Sequence, residues 1–136
     1  MIKTDKKIVF LVEDNPAYRL VIKVVLEKIG FMVMQFENGR KASEMIEHIK
    51  PNLIISDLDM PEMNGFQLYK FVRSNYVEYS VPFLFISSTA SKKKRKKASK
   101  LSSFRMLNKP VSPQDLEDAI KERLNVKEKE SSIVKN

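Results

Sequence analysis

Lys7-Ile8-Val9-Phe10-Leu11-Val12-Glu13-Asp14 is an uninterrupted apolar run that breaks abruptly into two carboxylates. A run so short and continuous suits a strand buried on both faces. The same character recurs at Leu53-Ile54-Ile55 and at Phe83-Leu84-Phe85-Ile86, while Phe31 to Phe36 and Phe104 to Leu107 read as two further strands. Between the first two strands, Ala17, Leu20, Val21, Val24, Val25 and Ile29 recur at helical spacing, and Gly30 is suited to ending the helix. Asn38-Gly39 reads as a turn. Ala42, Met45, Ile46 and Ile49 mark a second helix stopped before Pro51, and Leu68, Phe71 and Val72 mark a third. A fourth, weakly anchored helix is expected around Ala90, Ala98 and Leu101. The last helix has the clearest start: Ser112 as cap, Pro113 in the first turn, Asp115 three residues after the cap, then Leu116, Ala119, Ile120 and Leu124 on one face.

Five strands alternating with five helices imply an α/β fold with a parallel sheet covered on both faces, because parallel neighbours need right-handed crossover connections. Residues 1–125 are expected to form this domain, and 126–136 a polar, frayed C-terminal tail. In such open sheets ligands bind at the carboxyl ends of the strands, where the strand order reverses.

The 136 residues suffice for one domain with its own core, and 43% hydrophobic with 31% charged residues is an ordinary balance for a globular protein. Cysteine is absent, which excludes disulfides, thiolate catalysis and cysteine metal sites, and fits a cytoplasmic setting. The apolar run near the N-terminus is too short for a signal sequence or a membrane span. A single histidine, His48, sits beside apolar helix positions and reads as surface packing; Ser-His-Asp and Cys-His sites are therefore not available. The net charge of +8 comes from one segment, Lys92 to Lys100, which carries seven basic residues; the 25 basic residues less these seven nearly balance 17 acidic ones. A solvated helix face is the preferred reading of that run, with protein docking through Lys93, Lys94, Lys96 and Lys97 second. Nucleic acid comes last, since no aromatic residue lies between Phe85 and Phe104 to stack on bases.

The strand ends are polar: Glu13-Asp14, Asp57, Ser87-Ser88 and Lys109-Pro110 each come at or just after the end of an apolar run. Three carboxylates gathered at one edge repel one another unless a cation is present, and an all-oxygen set suits Mg²⁺, with Mn²⁺ as a substitute, better than zinc. A lysine and a hydroxyl beside them complete a site for an anion. Together they suit a phosphoryl group carried on Asp57.

Asp57-Leu58-Asp59-Met60-Pro61-Glu62-Met63-Asn64-Gly65 resembles the loop of response-regulator receiver domains of two-component signalling, and the likeness extends to the acidic pair, the hydroxyl five positions after Pro82, and the Lys-Pro pair. It implies a flavodoxin-like, doubly wound sheet in the order 2-1-3-4-5. It implies Asp57 as phosphoacceptor; Asp14, Asp57 and the Asp59 backbone carbonyl as direct metal ligands; Glu13 acting through water; Ser87 and Lys109 on the phosphoryl oxygens; and a cis peptide before Pro110. The chain departs from the pattern at Met106, where an aromatic is usual; at Ser88, where alanine is usual, so that Ser87 and Ser88 compete for the switching role; and at Glu13, where aspartate is commoner. The resemblance further implies a phosphoryl donor, either a histidine kinase or a phosphotransfer protein, and a downstream protein target. It implies no enzyme beyond intrinsic formation and hydrolysis of the aspartyl phosphate, and no separate output domain is expected. Two rivals stand beside it. A phosphohydrolase of the haloacid-dehalogenase type would use Asp57-Leu58-Asp59 as its Asp-x-Asp pair, but Pro61 stands where Thr or Val is expected. A binding scaffold without phosphorylation would not need the full acidic, hydroxyl and lysine set.

Overall fold

The opening apolar run forms β1 (Ile8–Val12) in a computed structural model, which describes residues 6–78, 80–87 and 106–135. It is followed by α1 (Pro16–Ile29), β2 (Met32–Phe36), α2 (Gly39–Met45), β3 (Leu53–Asp57), α3 (Gly65–Asn75), β4 (Phe83–Ser87), β5 (Met106–Asn108) and α4 (Pro113–Lys135). All pairings are parallel and the strand order is β2-β1-β3-β4-β5. This is the expected doubly wound α/β sheet. Four helices lie among the described residues; the expected fourth of five, with Lys93, Lys94, Lys96 and Lys97, falls outside them, as does Ser88.

Alternation along each central strand divides the core in two, since successive side chains point to opposite faces. Phe10, Ile54, Phe83 and Phe85 join Ile46, Leu68, Tyr69 and Val72 of the α2 and α3 side. Val9, Leu11, Ile55, Leu84 and Ile86 join Ile22 and Leu26 of α1 and Leu116 and Ile120 of α4 on the other. Burying each such side chain is worth about 1.5–3 kcal/mol, so the continuous apolar runs follow directly from the two-sided cover.

Three boundaries differ from the sequence reading. Helix α2 ends at Met45, with Ile46 as its C-cap, because the chain then tightens into turns in which the His48 and Ile49 N–H groups both donate to the Met45 carbonyl. Strand β5 ends at Asn108, one residue past the expected Leu107, while its expected start at Phe104 lies outside the described residues. Helix α4 continues through Lys135, past Asn125, after which the tail was expected; half of its last ten residues, Lys127, Glu128, Lys129, Glu130 and Lys135, are good helix formers although they lack a strong apolar stripe. No helix among the described residues is long and apolar enough to cross a membrane. His48 is exposed, as surface packing requires.

Candidate functional site

Register brings the polar strand ends together. Val12 pairs with Ser56, Asp57 with Ile86 and Ser87 with Asn108, so Glu13 directly after β1, Ser87 at the end of β4 and Lys109 directly after β5 share the sheet edge at which Asp57 ends β3. Backbone hydrogen bonds carry the ladder one step further. Glu13 N–H donates to Phe36 O at 3.0 Å, Leu58 N–H to Ile86 O at 3.0 Å and Lys109 N–H to Ser87 O at 2.8 Å. The positions of Glu13, Asp57, Ser87 and Lys109 are thus set by the most buried part of the molecule.

Glu13, Asp14 and Asp57 each offer a carboxylate oxygen, and these oxygens lie within 4.8 Å of one another. Glu13 and Asp57 are buried, while Asp14 is exposed. Between the two buried groups lies the Lys109 ammonium, 2.9 Å from Asp57 Oδ2 and paired with Glu13 Oε1. The Lys109 side chain is only 5% exposed, so these are desolvated charges. The other carboxylate oxygens are also held: Asp57 Oδ1 accepts from Asp59 N–H and Glu13 Oε2 from Asn15 N–H, each at 3.0 Å.

Burial pushes the Glu13 carboxyl up to about 7, against the opposing pull of Lys109 and of the Asn15 N–H. Burial also pulls the Lys109 ammonium down, but its hydrogen bonds to Glu13 and Asp57 prevail and hold it above its ordinary value. With all three carboxylates ionised, the one ammonium would leave two negative charges, which a hard divalent cation on carboxylate oxygens would balance. The donor set therefore fits such an ion.

The loop after Asp57 is shaped by contacts that exclude side chains. A Cβ on Gly65 would stand 2.5 Å from the Asp57 carbonyl oxygen, and one on Gly39 would stand 2.5 Å from Met63 O. Gly39 N–H donates to that same Met63 oxygen at 3.1 Å, which ties the start of α2 to the loop. Glu62 adopts φ 66°, and Met63 N–H closes a γ-turn onto Pro61 O at 2.8 Å. Asn64 then caps α3 in a reciprocal box with Gln67. Met60 and Met63 pack against the core on the α2 and α3 side.

Ser87 is fully buried at the end of β4, and its strand neighbour across the β4–β5 pair is Asn108. Met106, half buried, pairs with Phe85 and packs on the same side as Phe66 and Tyr69. The Lys109–Pro110 peptide bond is cis. Two residues near the site escaped the sequence reading. Arg19 donates to the Glu13 carbonyl at 2.7 Å, and the Tyr18 ring lies over Lys109 Nζ. Their place in the first turns of α1, directly after the acidic pair, was the available signal.

Comparison with known proteins agrees with this arrangement. Residues 9–121 match the response regulator receiver domain. The chain is 32% identical over 118 residues to the chemotaxis protein CheY1 of Helicobacter pylori, covering 85% of this chain and 92% of that protein. It is also 32% identical over 120 residues to the transcriptional regulatory protein CrdR of the same organism, covering 88% of this chain but only 56% of that longer relative. Among solved structures, a CheY-like response regulator receiver domain protein from Methanospirillum hungatei superposes with a TM-score of 0.84 at 26% identity, covering 93% of this chain and 99% of that one. A five-stranded parallel sheet with an acidic cluster and a buried lysine at its carboxyl edge, matched over most of its length, makes this chain a member of the response regulator receiver family, the phospho-accepting switches of two-component signalling.

Proposed function

We propose that Asp57 is the residue that takes the phosphoryl group. A Lys109 ammonium bound to Asp57 inside a cluster of three carboxylates carries this reading. An oxygen of Asp57 forms the new O–P bond as the bond from phosphorus to the imidazole nitrogen of a phosphohistidine donor breaks in line with it. Asp14, Asp57 and the Asp59 backbone carbonyl would hold Mg²⁺, with Mn²⁺ as a substitute, and Glu13 would contribute through water. When bound, the ion supplies neutralising charge to the phosphoryl oxygens. Lys109 holds an oxygen of the arriving group, a role supported by its ammonium lying 2.9 Å from Asp57 Oδ2.

Donor docking is supported by the surface of α1. Leu20, Val21 and Val24 are large apolar residues left exposed on the helix that starts at the site. A histidine kinase or phosphotransfer protein covers them while its phosphohistidine reaches Asp57, in the cytoplasm where such donors are charged. Ser87 then closes on the phosphoryl group, with Ser88 as the competing hydroxyl. Through the β4–β5 pair, Met106 shifts with it, and the neighbouring surface presented to a protein target changes. Chemistry of the chain itself is limited to forming and hydrolysing its own aspartyl phosphate.

Incubation with acetyl phosphate and Mg²⁺ tests this by stoichiometry. One phosphoryl group per chain is expected, abolished by EDTA, with no sustained turnover of a phosphomonoester. Multiple turnovers on such an ester would favour the phosphohydrolase rival.

A further inference from the structure

Helix α1 begins immediately after the acidic pair, and its start is tightly specified. Asn15 Oδ1 accepts from Ala17 N–H at 2.9 Å and from Tyr18 N–H at 3.1 Å, while Pro16 occupies the first turn. This cap holds the backbone of Tyr18 at the rim of the site. Its half-buried ring lies over the Lys109 ammonium, with Nζ 4.4 Å from the ring centroid. A cation over an aromatic face is attracted by the ring quadrupole, and the attraction grows when the charge is desolvated. At 5% exposure, the Lys109 side chain meets that condition.

The described contacts of the ammonium are thus two carboxylates and one ring. One of the carboxylates changes during the reaction. When its oxygen joins phosphorus, the Asp57 carboxylate becomes part of a mixed anhydride and the negative charge passes to the phosphoryl oxygens. The ring keeps the same attraction throughout. A lysine stem has several rotatable bonds and a strongly hydrated head, so a fixed ring helps keep its ammonium in place while negative charge passes from the Asp57 carboxylate to the phosphoryl oxygens.

The geometry points to Tyr18 as a positioning residue for phosphoryl transfer: its ring holds the Lys109 ammonium at Asp57 and so sets the rate at which Asp57 is phosphorylated. This rests on the reading of Asp57 as acceptor and Lys109 as phosphoryl contact. In the step concerned, with phosphoramidate as donor, an Asp57 oxygen forms the O–P bond, the P–N bond breaks, and the nitrogen leaves as ammonia with its protons.

The test compares wild type with Tyr18→Phe, which keeps a ring, and Tyr18→Leu, which keeps apolar bulk without one. Phosphorylation by phosphoramidate at saturating Mg²⁺ is expected to slow by about threefold to tenfold in Tyr18→Leu and by less than about twofold in Tyr18→Phe. Mg²⁺ affinity should stay within about twofold in both, because Tyr18 is not an ion ligand. Equal rates for Phe and Leu, whether both normal or both reduced, would overturn the proposal, since packing alone does not distinguish a ring from bulk in this way. A second measurement needs no variant. In the wild-type NMR spectrum the Lys109 ε-methylene protons should lie upfield of those of the other lysines through the ring current, and an ordinary shift would overturn the placement. Failure of the underlying reading looks different: wild type would remain unlabelled, or Asp57→Asn would label.

Discussion

A carboxyl group held near pH 7 beside two other carboxylates changes charge within the working range of a cell. Glu13 keeps its proton up to about 7 when folded, against an ordinary value of 4.5. The stability this contributes is fully present below about 4.5 and is lost as pH rises through about 7, because the folded chain binds the extra proton in that window. Ion binding has the opposite slope, since the freed carboxylate is what the cation needs. Calorimetric titration should therefore show Mg²⁺ binding tightening from about pH 6 to about pH 8, and Glu13→Gln should flatten that slope. A slope unchanged in the variant would place the titrating group elsewhere. Lys109→Ala should still accept some phosphoryl group, as Lys109 is not the attacking atom, but should lose the amide-shift changes around β4 and β5 that accompany it. Normal shift changes in Lys109→Ala would contradict its role as the sensing cation. At this scale the gathering of Glu13, Asp14, Asp57, Ser87 and Lys109 at one sheet edge was readable because each lies at or just beyond the end of an apolar strand run. Tyr18 was not, since its partner Lys109 lies far along the chain and only the folded sheet edge brings them together.

Elements place these residues through close backbone approaches as much as through hydrogen bonds. Gly65 opens α3 against the Asp57 carbonyl, where a Cβ would stand 2.5 Å from a backbone oxygen. That oxygen belongs to the end of β3 and has little freedom to move. Gly65→Ala is therefore expected to cost about 1–3 kcal/mol in urea unfolding, through overpacking and backbone displacement, and to slow labelling of Asp57 because the displaced segment is its own. Unchanged stability together with an unchanged labelling rate would show that the loop yields freely. Strands were readable because burial on both faces demands continuous apolar runs. Helix ends were less so. The apolar spacing continues to Ile49, but the chain leaves α2 at Met45 because turns near Pro51 must redirect it into β3. The later part of α4 shows the converse, since helix-forming residues sustain a helix where a weak apolar pattern suggested fraying.

Across the whole molecule, one sheet does two jobs: its faces carry the core, and its carboxyl edge collects charge from strands distant in sequence. That division was legible from the alternation of strands and helices, together with the polar residues at each strand's carboxyl end. The strand order came from resemblance, because spacing alone does not choose among doubly wound orders. The basic run from Lys92 to Lys100 stands apart from the balanced charge elsewhere. If it serves as a solvated face or a protein-docking segment, the chain should show no tight binding to duplex DNA at physiological salt. Binding with a steep salt slope that is lost when Lys93, Lys94, Lys96 and Lys97 become Gln would contradict that. The central claim concerns a single oxygen-bearing side chain, and intact-mass measurement after treatment with acetyl phosphate and Mg²⁺ tests it most directly. Wild type should gain the mass of one phosphoryl group and Asp57→Asn none, with both folded by thermal unfolding. Equal addition to both proteins would place the phosphoryl group on another residue and contradict the account.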